Sequence, residues 1–151
     1  MKLLTIVTLL CLTALRAFYQ EENVIKFKSE VTLTLTKAEN GNYNYKITEA
    51  KDFDKILDEN NGLLKNKLDT NQIKLVFCFG KFGGGVKTLL VIKSGLNVFL
   101  KYKAQIKRAQ SNNFEKTSVE PLFPKVQSIE EWPYDISEII LSDFAVMKSE
   151  R

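Results

Sequence analysis

From Val24 to Thr36 apolar and polar positions alternate, with Ile25, Phe27, Val31, Leu33 and Leu35 separated by Lys26, Lys28, Thr32 and Thr34. A period of two sends successive side chains to opposite faces, so this run predicts a half-buried strand, or two short ones divided near Ser29. Asn40 and Gly41 follow, a dipeptide that supplies the positive φ angles of a tight hairpin, and Tyr43, Tyr45 and Ile47 resume the alternation as a return strand.

Between Asp52 and Leu68 the spacing changes. Phe53, Ile56, Leu57, Leu63, Leu64 and Leu68 recur at intervals nearer three and four, Asp52 can cap a helix start, and Asn60, Asn61 and Gly62 interrupt the middle. The pattern predicts a short helix, a turn and one more helical turn, covering one end of a sheet. Three apolar runs then follow: Ile73 to Phe82, Lys87 to Lys93, and Leu96 to Lys107. Gly83, Gly84 and Gly85 separate the first two, and Ser94 and Gly95 the last two, which predicts a meander of neighbouring antiparallel strands. Pro121, Pro124 and Pro133 argue against a long regular element before Tyr134, yet Val119, Leu122, Phe123, Val126, Ile129 and Trp132 are too apolar for a disordered linker. That stretch is expected to pack across the domain. A final strand is predicted from about Ile139 to Met147.

Six or seven strands with one short helix give a mainly β fold: an antiparallel two-layer β-sandwich, with a small β-barrel as the alternative architecture. Pattern alone does not separate the two.

The amino terminus reads differently. Met1 and Lys2 precede an apolar run from Leu3 through Leu12, and small residues follow at Thr13, Ala14 and Ala17. This is the layout of a secretory signal peptide, and the apolar run is shorter than the roughly 20 residues needed to cross a bilayer. Residues 1–17 are therefore expected to be removed, although Leu15 and Leu12 sit where cleavage after Ala17 or Ala14 would favour a small residue. Leu10 before Cys11 does not suit a lipoprotein signal. Residues 18–151 are expected to form a single β domain, secreted or periplasmic, with no transmembrane segment.

Charge and cysteine content narrow the classes further. Lys2 and Arg16 fall in the leader, leaving 20 basic against 18 acidic residues, too even a balance to suggest nucleic acid. Cys11 leaves with the leader and Cys78 remains alone, so no internal disulfide is expected. Histidine is absent, which excludes a His-based triad and imidazole metal ligation. Cys78 lies between Phe77 and Phe79 with no imidazole to activate it, and reads as a buried, inert thiol. The run from Gly80 through Thr88 superficially suggests a phosphate loop, but Val86 breaks the spacing and Leu89 to Ile92 continue as a strand. A hairpin is the expectation, and no cofactor is implied.

Glu130, Glu131 and Asp135, with Glu138, surround Trp132 and Tyr134. Acids for proton transfer beside rings that stack on sugars are what a carbohydrate site uses, which makes Trp132, Tyr134, Glu130, Glu131 and Asp135 the candidate ligand-binding residues. Solvated acids around a core tryptophan produce the same pattern. Lys101, Lys103, Lys107 and Arg108 form a basic strip that suits either an anionic partner or a solubilising outer face.

The carboxy-terminal half, Leu75 to Met147, resembles small secreted bacterial β-sandwich proteins of unassigned function. The likeness rests on the Lys93-Ser94-Gly95 turn, Tyr102-Lys103-Ala104, Thr117-Ser118-Val119-Glu120-Pro121, Glu130-Glu131-Trp132-Pro133-Tyr134 and Leu141-Ser142-Asp143-Phe144. It implies a bacterial envelope setting and no reaction. The leading expectation is a non-enzymatic binding or interaction module whose partner is an envelope protein or glycan, marked by an exposed apolar or aromatic patch. A barrel carrying a small apolar ligand is the alternative, and a small carbohydrate-active protein comes third.

Overall fold

The alternation after Val24 forms two strands separated by a corner, β1 (Val24–Lys26) and β2 (Ser29–Lys37). Lys28 makes the corner with a left-handed backbone, φ 62°, and its carbonyl accepts a hydrogen bond from Phe53 N. These strands belong to a computed structural model that describes residues 23–62, 64–65 and 67–147. The expected leader, residues 1–17, lies outside the described residues.

The remaining strands are β3 (Asn42–Asp52), β4 (Leu57–Asp58), β5 (Gln72–Lys81), β6 (Lys87–Ser94), β7 (Leu100–Arg108), β8 (Glu115–Thr117), β9 (Gln127–Trp132) and β10 (Ile136–Val146). They build one sheet in the order β8-β7-β10-β3-β2-β5-β6-β9, with β1 added to β10 and β4 to β5. All pairings are antiparallel except the two-residue β4–β5 pair. The sheet curls into a half-barrel, a mainly β, antiparallel architecture nearer the barrel expectation than two separate layers. Asn40-Gly41 turns the β2–β3 hairpin, with Gly41 at φ 83°. Gly83 and Gly84 turn the β5–β6 hairpin at positive φ, and the run that mimics a phosphate loop leads into a strand.

One core fills the concave face. Leu33, Ile73, Leu75, Phe77, Leu90, Ile92, Leu100, Ile106, Leu122, Ile139 and Phe144 are fully buried there. The other face of β5 and β6 is also covered: Val76, Cys78, Leu89 and Val91 join Leu57 in a second cluster, against which Phe53, Leu64 and Phe82 pack. Strands buried on both faces read as continuous apolar runs, which explains Leu75 to Phe79 and Leu89 to Ile92.

The covering element corrects the helix expected between Asp52 and Leu68. Among the described residues the segment contains no helix: β3 continues through Asp52, β4 pairs with β5, and a turn at Asp58 to Gly62 follows. Asp58 Oδ1 accepts from Asn60 N and Asn61 N at 2.8 and 3.1 Å. The intervals of three and four arise from a strap that touches down on the sheet intermittently, a spacing that one-dimensional pattern cannot tell from a helical face. The strap is clamped by Gln127, whose Oε1 accepts from Leu64 N (2.7 Å) and whose Nε2 donates to Gly62 O (2.8 Å).

The proline-bearing stretch, where no long regular element was expected, contains only the short strands β8 and β9, and Pro121, Pro124 and Pro133 all fall outside them. Among the described residues no helix is long and apolar enough to cross a membrane.

Candidate functional site

Glu30 on β2 faces the outer side of the sheet, opposite in register to Lys51 on β3, while Lys74 on β5 lies diagonally across from it. The glutamate holds both ammonium groups, Lys74 Nζ at 2.6 Å and Lys51 Nζ at 3.0 Å. Lys74 and Glu30 are only 11% and 13% exposed, whereas Lys51 reaches into solvent. Burial pushes the Glu30 carboxyl upward, but hydrogen bonds and charge from Lys74 and Lys51 outweigh it and hold the group below the usual carboxylate range.

This triad lies along a groove of about 410 Å³ between the strap and the sheet. Phe53, Leu57, Leu64 and Val76 supply apolar walls, Asn60, Asn61 and Gly62 one rim, and Lys65 a further cation. Three lysines against one glutamate leave the lining cationic. The arrangement suits a ligand with an apolar body and an anionic group, because the walls exclude water and the uncompensated lysines supply charge-assisted donors.

The five residues singled out in the sequence do not converge on this groove. Trp132 is buried in the main core and its Nε1 donates to Thr117 Oγ1 at 3.1 Å. Glu130 accepts from Glu120 N at 2.7 Å, and burial raises its carboxyl despite that bond. Glu131 points outward and pairs with Lys87 at 2.6 Å. Tyr134 lies under Arg108, whose guanidinium is 4.0 Å from the ring centroid, and its carbonyl accepts from Thr88 Oγ1. Asp135 is exposed, and its carbonyl accepts from Ala109 N. Glu130 and Trp132 share one face of β9 and Glu131 takes the other, as the strand period requires.

The basic strip on β7 is largely neutralised. Lys103 pairs with Asp143, Lys107 with Glu138, and Arg108 with Glu115, the pattern of a solvated outer face. Cys78 is fully buried, and desolvation pushes its thiol up to about 11.

No family model, curated protein or solved structure matches the chain.

Glu30, Lys51 and Lys74 were not distinguishable in the sequence. Glu30 and Lys51 occupy unremarkable polar positions, and the three residues meet only through the register of three strands. The clearest signal was negative: Lys74 interrupts the apolar stretch of β5 at a position whose face is otherwise buried.

Proposed function

We propose that the protein is an exported, non-enzymatic binding module that holds a small amphipathic ligand, apolar in body and anionic at one end, in the groove beneath the strap. The observation that carries this reading is the nearly buried Lys74–Glu30 pair, extended by solvent-reaching Lys51, along an apolar-walled groove of about 410 Å³. Buried ion pairs contribute little net stability, so a charge triad on the outer face of a sheet is better explained by recognition than by folding. The export reading rests on the leader pattern from Met1 to Ala17.

Carriage inside the barrel has less support, since Phe77, Phe144, Leu90, Leu100 and Leu122 occupy the concave face. A glycan site around Trp132 is also weakened: the indole is in the core, and Arg108 covers the Tyr134 ring that would stack on a sugar.

Native mass spectrometry of the processed protein from its own host is expected to show an added small-molecule mass. Calorimetric titration with octanoate is expected to give heat of binding, weakened by about tenfold or more in Lys51→Glu, where a donor becomes a repelling charge. A second carboxylate opposite Glu30 would repel it, so Lys51→Gln, which removes the donor without adding a negative charge, is the companion variant: it should weaken binding in the same direction and cost less stability than Lys51→Glu. A bare mass together with no heat from octanoate would overturn the proposal.

A further inference from the structure

The end of the sheet that carries the β6–β7 turn and the 118–126 loop combines exposed aromatic surface with lysines that pair with no acid among the described residues. Phe99 and Phe123 meet edge to face with centroids 5.3 Å apart, yet each remains 48% exposed. Met147, also exposed, is bonded through its N–H to Phe99 O. An exposed ring pair of this kind leaves apolar surface in water that single scattered residues do not.

In the same turn as Phe123, two residues on, Lys125 joins Lys67 and Lys93 in lining a depression of about 200 Å³ with Thr70, Ser94 and Gly95, and no carboxylate lines it among the described residues. Lys93 spends one proton on Leu64 O at 3.0 Å and keeps two. The local backbone is arranged to bring these groups together. Pro124 and Lys125 occupy the centre of a turn closed by Val126 N–H to Phe123 O, and Pro124 bridges to Ser94. Lys125 takes φ 61° at the turn position that normally favours glycine or asparagine, so a charged side chain is kept where the backbone would prefer none. At Gly95 a Cβ would collide with the Asp69 carbonyl; the missing side chain lets the strap approach and sets Lys67 beside Lys93.

We propose that this end of the molecule docks on an anionic bilayer surface, with Lys67, Lys93 and Lys125 engaging headgroup phosphates while Phe99 and Phe123 enter the interfacial layer. Charge complementarity selects the occupant: a cluster of lysines without acids attracts a negative surface, and aromatic rings adjoining it fit a boundary that is wet on one side and apolar on the other. The depression lies further along the strap than the groove and shares no lining residue with it, so the two sites are tested by different variants.

The test is flotation of the processed protein, lacking residues 1–17, with vesicles of phosphatidylcholine alone and of equal parts phosphatidylcholine and phosphatidylglycerol. Binding is expected only to the anionic vesicles, and it should weaken as salt is raised. Lys67→Gln and Lys125→Gly should each weaken it about fivefold, and the glycine variant also relieves the strained φ, so loss of fold does not explain its effect. Phe99→Ser with Phe123→Ser should cost about tenfold per ring. Equal binding to both vesicle types, no binding to either, or indifference to both sets of variants would overturn the proposal. So would stabilisation by inorganic phosphate without vesicle binding, which would assign the depression to a free anion.

Discussion

Trp132 Nε1 donates a hydrogen bond to Thr117 Oγ1 at 3.1 Å, and this contact joins the two terminal strands of the sheet. β9 and β8 exchange no ladder bonds, so these two strands meet here through side chains and the 118–126 segment between them. Leu122, paired with Leu100, and Glu120, bonded to Glu130, fill the same seam. Trp132→Phe should therefore cost about 2 kcal/mol through lost volume and a stranded acceptor, and Thr117→Val about 1 kcal/mol. Urea unfolding of the single and double variants checks this. Strict additivity would mean the bond does not couple the strands.

Tyr102 predicts the opposite sign. Its hydroxyl is buried beside the same seam without a hydrogen-bond partner among the described residues, and burial together with the charges of Glu130 and Glu120 drives its pKa upward. The ring itself stacks on Phe144, with centroids 5.5 Å apart. Tyr102→Phe keeps the ring and removes the unsatisfied group, so it is expected to be neutral or to stabilise by about 1 kcal/mol in thermal or urea unfolding. A loss of that size would require a partner for the hydroxyl.

Glu30 sets a pH dependence. A carboxyl whose folded pKa is depressed contributes stability above its unfolded value, and the contribution is lost as pH falls through the folded one. The urea midpoint should drop as pH is taken below the ordinary value of 4.5, and Glu30→Gln, less stable at neutral pH, should lose part of that drop. Glu130, raised by burial, acts in the reverse sense, so the comparison between variant and parent is the informative one. Identical acid limbs would remove Glu30 from the account.

Cys78 offers a readout of opening. With its thiol buried between strap and sheet and pushed up to about 11, native protein at neutral pH should resist iodoacetamide, and labelling should follow global unfolding in urea. Labelling well below the unfolding midpoint would show that the strap detaches by itself.

The hairpins were legible because their information is local. Asn40-Gly41 and the glycines after Phe82 dictate turns whatever surrounds them, and the alternation from Leu100 to Ile106 identifies both faces of β7. The predicted start of that strand at Leu96 is early, because Ser94 Oγ accepts from Leu96 N and draws Leu96 into a buried turn. The strap was misread because Phe53, Leu57 and Leu64 share a helix-like spacing while their common partner, the outer face of β5 and β6, is remote in sequence. The groove was invisible for a related reason. Glu30, Lys51 and Lys74 acquire meaning only once strand register is known, and register is a tertiary property. Trp132 and the acids around it attracted notice by residue type, whereas the indole is a core side chain and Glu131 the partner of Lys87.

The place of β10 has a consequence for how the chain reaches this state. It follows the other nine strands in sequence, yet it pairs with β7 along one edge and with both β1 and β3 along the other, joining Val24 to Ile140 and Tyr43 to Phe144. Until Ile136 to Val146 has been synthesised, β1 has no partner and β7 lacks a long neighbour. Loop closures of this span cost entropy before their contacts form, so folding should be slow. Before those contacts form, β7 and β3 each present an open edge of backbone donors and acceptors, and that is where a second chain could add a strand and start aggregation.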